Sequence, residues 1–99
     1  MKMGRIVGNV VATQKDEKLE SIKLFMVQDV NLDLSGKASF VVAADSVGAG
    51  VGELVLYASG SSGRMTEVTQ DRPIDAVIMA IVDTLTLDDE ISYQKGIND

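Results

Sequence analysis

The chain has no cysteine, no histidine and no tryptophan among its 99 residues, and it has a single proline. The lack of cysteine excludes disulfide bonds and thiolate metal sites. The lack of histidine removes the commonest metal ligand and the commonest acid–base catalyst near neutral pH. We therefore expect no metal and no cofactor, and much enzyme chemistry is disfavoured.

Aromatic residues are also scarce. Phe25, Phe40, Tyr57 and Tyr93 are too few and too scattered to form a platform on which bases stack. The net charge is −6 at pH 7, with an isoelectric point near 4.4, and this opposes contact with the phosphates of nucleic acids. We therefore expect no nucleic-acid partner.

No apolar run reaches the length of a transmembrane helix, and the segment Met1–Ile6 leads into a strand pattern without a signal-peptide core. We expect a cytosolic protein that does not contact a membrane. Ninety-nine residues, of which 45% are hydrophobic, are enough for one domain with a modest core. The prediction is a single domain over residues 1–99.

Glycine, in contrast, is concentrated in two short loops. The first loop is Asp45–Glu53, the second is Gly60–Arg64, and the apolar strand Leu54–Ala58 lies between them. Glycine is placed where the backbone needs a positive φ or approaches another surface closely. Two such loops facing each other across one strand indicate a packed junction, which we interpret as a contact between subunits.

A nucleotide-binding loop is the rival interpretation of the first glycine stretch. Gly48, Gly50 and Gly52 follow the pattern G-x-G-x-G, whereas the dinucleotide fingerprint is G-x-G-x-x-G between a strand and a helix. The segment that follows, from Glu53 to Tyr57, has the composition of a strand, so no helix N-terminus would meet a pyrophosphate. We therefore expect no cofactor at this loop.

Strand patterns dominate the chain, and they predict an all-β barrel of five or six strands. A charged loop at 14–20, a turn at 31–37 and a short helical turn at Arg64–Val68 are expected between them. The predicted strands are Arg5–Thr13, Ile22–Gln28, Ala38–Ala44, Glu53–Ala58, the long apolar run Ala76–Leu87, and Ile91–Lys95.

Several of these strands are apolar on both faces, most clearly Ala76–Val82. A small barrel fills its interior with one face of each strand, and no helix is predicted that would cover the other. Uncovered apolar area on this scale promotes association, so the pattern predicts an obligate homo-oligomer. Met26 and Met79 are interpreted as core residues, because each lies inside an apolar strand.

The order of these motifs resembles one family, the vertex proteins of bacterial microcompartments, which include the carboxysome and ethanolamine-utilisation pentamers of the EutN/CcmL type. The resemblance runs from about Met1 to Lys95. It is carried by Gly8–Thr13 with Gln14 and Lys15, Ala44–Glu53, Gly60–Arg64, Arg72–Ala76 and Ala80–Asp83. One departure is Gly63, where the family commonly has alanine before the arginine.

The resemblance implies a fold and a function. It implies a small closed antiparallel barrel, similar to the oligonucleotide/oligosaccharide-binding (OB) fold, that assembles as a homopentameric ring with a narrow central pore. It also implies a structural protein rather than an enzyme, located in the shell of a microcompartment in the bacterial cytoplasm. There it would close the five-fold corners beside hexameric shell proteins. The shared motifs do not distinguish carboxysomes from catabolic compartments.

The glycine loops supply the candidate contact residues. Asp45, Glu53 and Arg64 are predicted to form a polar network within or between subunits, because polar groups in a buried junction must be paired. The alternative is that Asp45 caps its own turn and Arg64 is solvated. The residues predicted to allow close backbone approach beside them are Gly48, Ala49, Gly50 and Gly52.

Two further sets of residues have two interpretations each. Arg72, Pro73 and Asp75 form either an ordinary type I turn or a contact to a neighbouring shell protein. Ser61 and Ser62 either line the pore, together with Gly60, or cap the turn after Gly60.

Two other classes of function are alternatives to a shell protein. A barrel that binds an oligosaccharide or a single strand of nucleic acid is disfavoured by the charge and the aromatic content. An enzyme would need carboxylates, lysine or serine, and neither Ser61 nor Ser62 lies in a G-x-S-x-G context.

Overall fold

The computed structural model describes residues 1–12, 17–19, 21–60, 74 and 76–97. These residues form seven strands and a 3₁₀ turn at Glu17–Leu19, so the predicted all-β class is confirmed. No helix in the described ranges has the length and apolarity needed to cross a membrane. The strands are β1 (Lys2–Val10), β2 (Leu24–Val30), β3 (Gly36–Asp45), β4 (Leu54–Ser59), β5 (Ala76–Ile81), β6 (Thr84–Leu87) and β7 (Glu90–Gln94).

Five strands close into a barrel in the order β1, β2, β3, β5, β4, with β4 pairing back to β1. Every pair in this barrel is antiparallel except β3 with β5, where Ala44 lies opposite Val77 and Asp45 opposite Ile78 in a parallel register. The sequence predicted an antiparallel barrel. The difference arises because β4 enters the sheet between β1 and β5, so β5 meets the end of β3 through a crossover connection rather than a hairpin.

The barrel interior is filled by alternate residues of each strand, as expected for a barrel of this size. Its core includes Ile6, Phe25, Val55, Tyr57 and Ile78, each at most 2% exposed. The interior formed by the described strands is therefore packed with side chains.

Gly4 brings β1 close to this core. A Cβ at this position would lie 2.5 Å from Val27 Cγ1 and 2.8 Å from the carbonyl oxygen of Gln28. Glycine is therefore required by packing, since a side chain would force neighbouring backbone apart.

The long apolar run Ala76–Leu87 is not one strand. It breaks at Val82 and Asp83 into β5 of the barrel and β6 of a separate hairpin with β7. The turn residues Asp88 and Asp89 have φ angles of 52° and 64°, the combination found in tight type I′ hairpins. The last strand therefore pairs with β6 outside the barrel.

This hairpin covers part of the outside of the barrel. Tyr93 of β7 is fully buried against Leu54 of β4 and Val30 of β2. The partly buried side chains around this second core are Met3, Leu34, Val82 and Leu85. The prediction that only another subunit would cover the outer apolar face was therefore wrong for this side, because the chain covers it with its own hairpin.

Some local predictions also change. β1 begins and ends three residues before the predicted bounds, and β2 begins two residues later than predicted. Met26 and Met79 were predicted to be core residues, and both predictions are wrong. Met79 is 36% exposed, because the register shift opposite Leu56 and Tyr57 turns it outward. Met26 is half-buried and lies on the outer face of β2, because its neighbours Phe25 and Val27 are the ones that enter the core. The predicted helical turn at Arg64–Val68 lies outside the described residues.

Candidate functional site

The first glycine loop begins with a cap formed by Asp45, the last residue of β3. The Asp45 carboxylate accepts hydrogen bonds from the backbone N–H groups of Val47 (3.1 Å), Gly48 (3.0 Å) and Ala49 (3.2 Å). Ser46 Oγ donates to the carbonyl oxygen of Ile78 at 2.5 Å and so ties the turn to β5. Asp45 therefore caps its own turn, which is the pattern typical of aspartate in turns.

The loop ends with a second cap, formed by Glu53. Glu53 Oε1 accepts a hydrogen bond from Gly50 N–H at 2.6 Å, and Glu53 Oε2 lies 2.9 Å from the ammonium nitrogen of Lys95. Gly48 and Gly52 have φ angles of 75° and 95°, so these two positions need glycine for the backbone conformation.

The loop is also attached to β1. Gly52 N–H donates to the carbonyl oxygen of Ile6 (2.8 Å), and Ile6 N–H donates to the carbonyl oxygen of Glu53 (3.0 Å). Arg5 Nη1 donates to the carbonyl oxygen of Gly52 at 2.8 Å, and its guanidinium lies 5.9 Å from the ring centroid of Tyr93. One arginine therefore contacts the glycine loop and the hairpin together.

The middle of the loop is held by the core. Ala49 is 4% exposed and belongs to the barrel core, whereas Val47 and Val51 are 39% and 55% exposed. The loop thus has a rigid backbone and presents two apolar side chains to the outside. A surface of this kind suits contact with another protein, because little conformational entropy is lost when it is covered.

The structure brings six of the predicted contact residues together in this loop: Asp45, Gly48, Ala49, Gly50, Gly52 and Glu53. Gly60, a predicted pore residue, is exposed and has a φ of 66° at the opposite end of β4. The six residues of β4, about 20 Å in length, lie between the first glycine loop and Gly60. The rest of the second loop lies outside the described residues, so the junction between the two loops stays a prediction. The predicted residues outside the described part are Ser61, Ser62, Arg64, Arg72, Pro73 and Asp75.

Sequence reasoning missed Arg5, Lys95 and Tyr93 as residues that hold the loop. The aromatic at position 93 inside a short strand was a signal of burial, but nothing in the sequence indicated where the strand would pack. For Arg5 and Lys95 the sequence contains no signal, because their partners lie more than 40 residues away.

A second polar cluster, also missed, lies at the end of the barrel where β1 begins. Asp29 accepts a hydrogen bond from the hydroxyl of Tyr57 and another from Ser39 Oγ at 2.6 Å. Burial pushes the pKa of Asp29 up, but these hydrogen bonds and the charges of Lys2 and Lys37 outweigh burial and hold the pKa below its usual value. Burial and the ionised Asp29 raise the pKa of the Tyr57 hydroxyl.

This cluster borders an open cleft of about 400 Å³, whose walls include Leu32 and the two lysines. Both oxygens of Asp29 accept hydrogen bonds, so this carboxylate links β2 to β3 and β4. Within the described ranges no three side chains of the metal-ligating types come together.

The four aromatic side chains do not form a nucleic-acid surface. Phe25, Tyr57 and Tyr93 are at most 2% exposed, and Phe40, at 56%, is the one ring that reaches the surface. Stacking of successive bases requires several exposed rings along a positively charged groove.

Comparison with known proteins agrees with this architecture. The sequence model of the family described as "Ethanolamine utilisation protein EutN/carboxysome" matches residues 1–83. The carboxysome shell vertex protein CcmL of Synechococcus elongatus is 41% identical over 97 residues, and the match covers 96% of each chain.

Two solved structures are similar in fold. CcmL of Nostoc sp. PCC 7120 has a TM-score of 0.90 and 41% identity, over 96% of this chain and 100% of that one. The GrpN pentameric microcompartment shell protein from Rhodospirillum rubrum has a TM-score of 0.79 and 39% identity, over 88% and 99%. With a family match over most of its length and relatives similar from end to end, the chain belongs to the EutN/CcmL family.

Proposed function

We propose that the chain is a structural shell protein that forms a homopentamer and caps the five-fold vertices of a bacterial microcompartment. The observation that carries this proposal is the similarity in fold to the pentameric shell protein GrpN, at 39% identity over 88% of the chain. The whole of residues 1–99 acts as one domain in this role. The protein has no catalytic task and lies in the shell, inside the bacterial cytoplasm.

The rigid glycine loop supports this role physically. A ring of identical subunits closes only if each subunit presents two different, complementary patches in a fixed relative orientation. The caps by Asp45 and Glu53 and the attachment to β1 hold Val47 and Val51 in a fixed position relative to the barrel. The loop is therefore one of the two patches in the proposed ring.

The remaining predicted residues have roles that rest on the family resemblance. Gly60, Ser61 and Ser62 are proposed to line the central pore. Arg64 joins the contact between subunits, and Arg72, Pro73 and Asp75 contact the neighbouring shell proteins. These neighbours are hexameric in the proposed assembly, because flat hexagonal layers close into a polyhedron only where five-fold units are inserted.

Native mass spectrometry of the purified chain tests the oligomer directly. Five subunits of 10.6 kDa give a ring of about 53 kDa. A pentamer is the expected species, and a stable monomer or dimer at micromolar concentration would contradict the proposal.

A deletion in the native host tests the vertex role. Cells that lack this protein and any paralogue should form elongated or open shells, because the flat facets cannot curve shut without five-fold units. Electron microscopy of the purified shells provides the measurement. Closed polyhedra of normal shape in the deletion strain would refute the vertex role, even if the chain is a pentamer.

A further inference from the structure

Arg5 lies opposite Gln28 at one end of the outer face of β1, β2 and β3, where it contacts the hairpin, and the rest of this face carries almost no polar side chain. The register places Gly8 opposite Met26 and Met26 opposite Val42, with Val10 opposite Leu24 in the next row. In the following row Gln28 lies opposite Phe40. We call this the uncharged face; its residues are Gly8, Val10, Leu24, Met26, Gln28, Phe40 and Val42.

These residues point away from the core, since the alternate residues of the same strands are buried in it. Phe25, Val27 and Ala43 are at most 1% exposed, whereas Phe40 and Val42 are 56% and 43% exposed. A sheet with one solvated face normally alternates apolar inward with polar outward residues. Here the outward residues are apolar as well, although 24% of the whole chain is charged.

The hairpin β6–β7 accounts for a different part of the barrel surface. It buries Leu54 of β4 and Val30 at the end of β2, and leaves Phe40 and Val42 exposed. A groove of about 390 Å³ adjoins the uncharged face at its edge and is lined by Asn9, Val10, Val11, Ile22, Lys23 and Leu24. Val11 is 86% exposed beside this groove.

Gly8 adds an independent observation. Its φ is not in the positive range that favours glycine, and a Cβ built at this position has no described atom within 4 Å. Neither backbone conformation nor packing within the described residues requires glycine here, in contrast to Gly4. The register of β1 with β2 shifts between Ile6 and Gly8, and glycine inside a strand marks either such a bulge or a place where another backbone approaches closely.

The net charge of the chain indicates what kind of surface covers the uncharged face. Each copy of the chain carries a net charge of −6, so identical copies repel one another over most of their surfaces. A face without charged residues is where two copies approach with the least like-charge repulsion. Permanent contacts between identical subunits are also the more apolar class of interface, whereas contacts that form later in assembly are more polar.

We propose that the uncharged face is covered by a second copy of this chain in the pentameric ring. The open space above Gly8, between Val10 and Met26, receives an apolar side chain of the neighbour. A stable interface takes about 800 Å² from each partner, roughly an eighth of the 6137 Å² surface of the chain. This proposal rests on the proposed function, and it specifies which face of the barrel the ring buries.

A matched pair of substitutions tests the proposal. Val42→Glu places a charge on the uncharged face, and Ile91→Glu places the same charge at another exposed aliphatic position, 62% exposed, on the hairpin. In native mass spectrometry V42E should lose the pentamer and I91E should keep it. Gly8→Val should also lose the pentamer, although a Cβ at this position meets no described atom of its own chain within 4 Å.

Single cysteines provide a second test in the intact assembly, since the chain has none of its own. In the pentamers of V42C and I91C, a maleimide should react with position 42 at least about tenfold more slowly, because it reaches a buried position only during rare openings. Equal labelling rates, or a V42E pentamer that remains intact, would overturn this proposal and leave the pentamer itself standing. A wild-type chain that forms no pentamer would refute the proposed function as well.

Discussion

Lys95 and Glu53 form an ion pair between the end of the hairpin and the end of the glycine loop, with 2.9 Å between Nζ and Oε2. Glu53 uses its other oxygen to accept the N–H of Gly50. The side chain of Glu53 is 19% exposed and that of Lys95 is 40% exposed, so water screens the ion pair more than the hydrogen bond. The two interactions of one carboxylate should therefore differ in strength.

Glu53→Gln and Glu53→Ala separate these two interactions. The glutamine keeps an acceptor for Gly50 and loses the ion pair, so the free energy of unfolding should fall by about 0.2–1 kcal/mol. The alanine also leaves the N–H of Gly50 without its acceptor, and the loss should be larger by about 1–3 kcal/mol. Urea unfolding at one fixed protein concentration measures both, because assembly adds to the apparent stability. Lys95→Gln is the control, and its loss of unfolding free energy should equal that of E53Q. Equal losses for E53Q and E53A would contradict the assignment of the Gly50 hydrogen bond to Glu53.

Asp45→Ala should destabilise the glycine loop by about 1–2 kcal/mol, because three backbone N–H groups lose their acceptor. It should also weaken the pentamer, since the loop is proposed to contact the neighbour. Asp33→Ala is the matched control. Asp33 accepts hydrogen bonds from the backbone and hydroxyl of Ser35 in an exposed turn. Both variants should unfold more easily, but only D45A should raise the concentration at which the ring dissociates; an equal effect on the ring would exclude the loop from the interface.

The Tyr57–Asp29 hydrogen bond predicts how stability depends on pH. The pKa of Asp29 is lower in the folded chain than its ordinary value, so this group stabilises the fold above that ordinary value. The contribution is lost as the pH falls through the lowered pKa. Tyr57→Phe removes one donor, so the pKa of Asp29 should rise towards its ordinary value and acid unfolding should begin at higher pH.

Carbon NMR titration of the Asp29 carboxyl in the wild type and in Y57F measures this shift. Ser39→Ala is the companion variant, because it removes the other donor and should shift the titration in the same direction. An Asp29 that titrates at its ordinary value in the wild type would contradict the hydrogen-bonded arrangement. The hydroxyl of Tyr57, whose pKa is raised, should stay protonated and continue to donate through the neutral range.

Gly4→Ala and Gly36→Ala compare two crowded glycines. At Gly4 the new methyl group meets Val27 in the core and the carbonyl oxygen of Gln28, neither of which can move freely. At Gly36 it meets only the end of the Gln28 side chain, which can rotate away at the cost of its hydrogen bond to Lys37. We expect G4A to lower the free energy of unfolding by about 1–3 kcal/mol and G36A by about 1 kcal/mol or less. Thermal unfolding of the two variants checks the order, and a G36A that is the less stable of the two would contradict it.

Much of the fold followed from local patterns. Alternation and β-branched composition located β1 to β4, and the start of β5, to within three residues, because these patterns reflect which faces of a strand are buried. The glycine loop was located through its composition, since φ angles such as that of Gly52 are open mainly to glycine. The two-faced apolar strands predicted association, and the structure shows that the hairpin covers part of the outer apolar surface.

The sequence by itself determined the all-β class, the position of the glycine loop and the family, since each depends on residues that are neighbours along the chain. The tertiary structure alone decided the parallel pairing of β3 with β5, the burial of Tyr93 between its hairpin and the barrel, the partners of Arg5, and the hydrogen bond of Tyr57 to Asp29. These features depend on contacts between residues that are 28 or more positions apart. Local propensity carries no information on such pairings, because they are selected by packing of the whole chain.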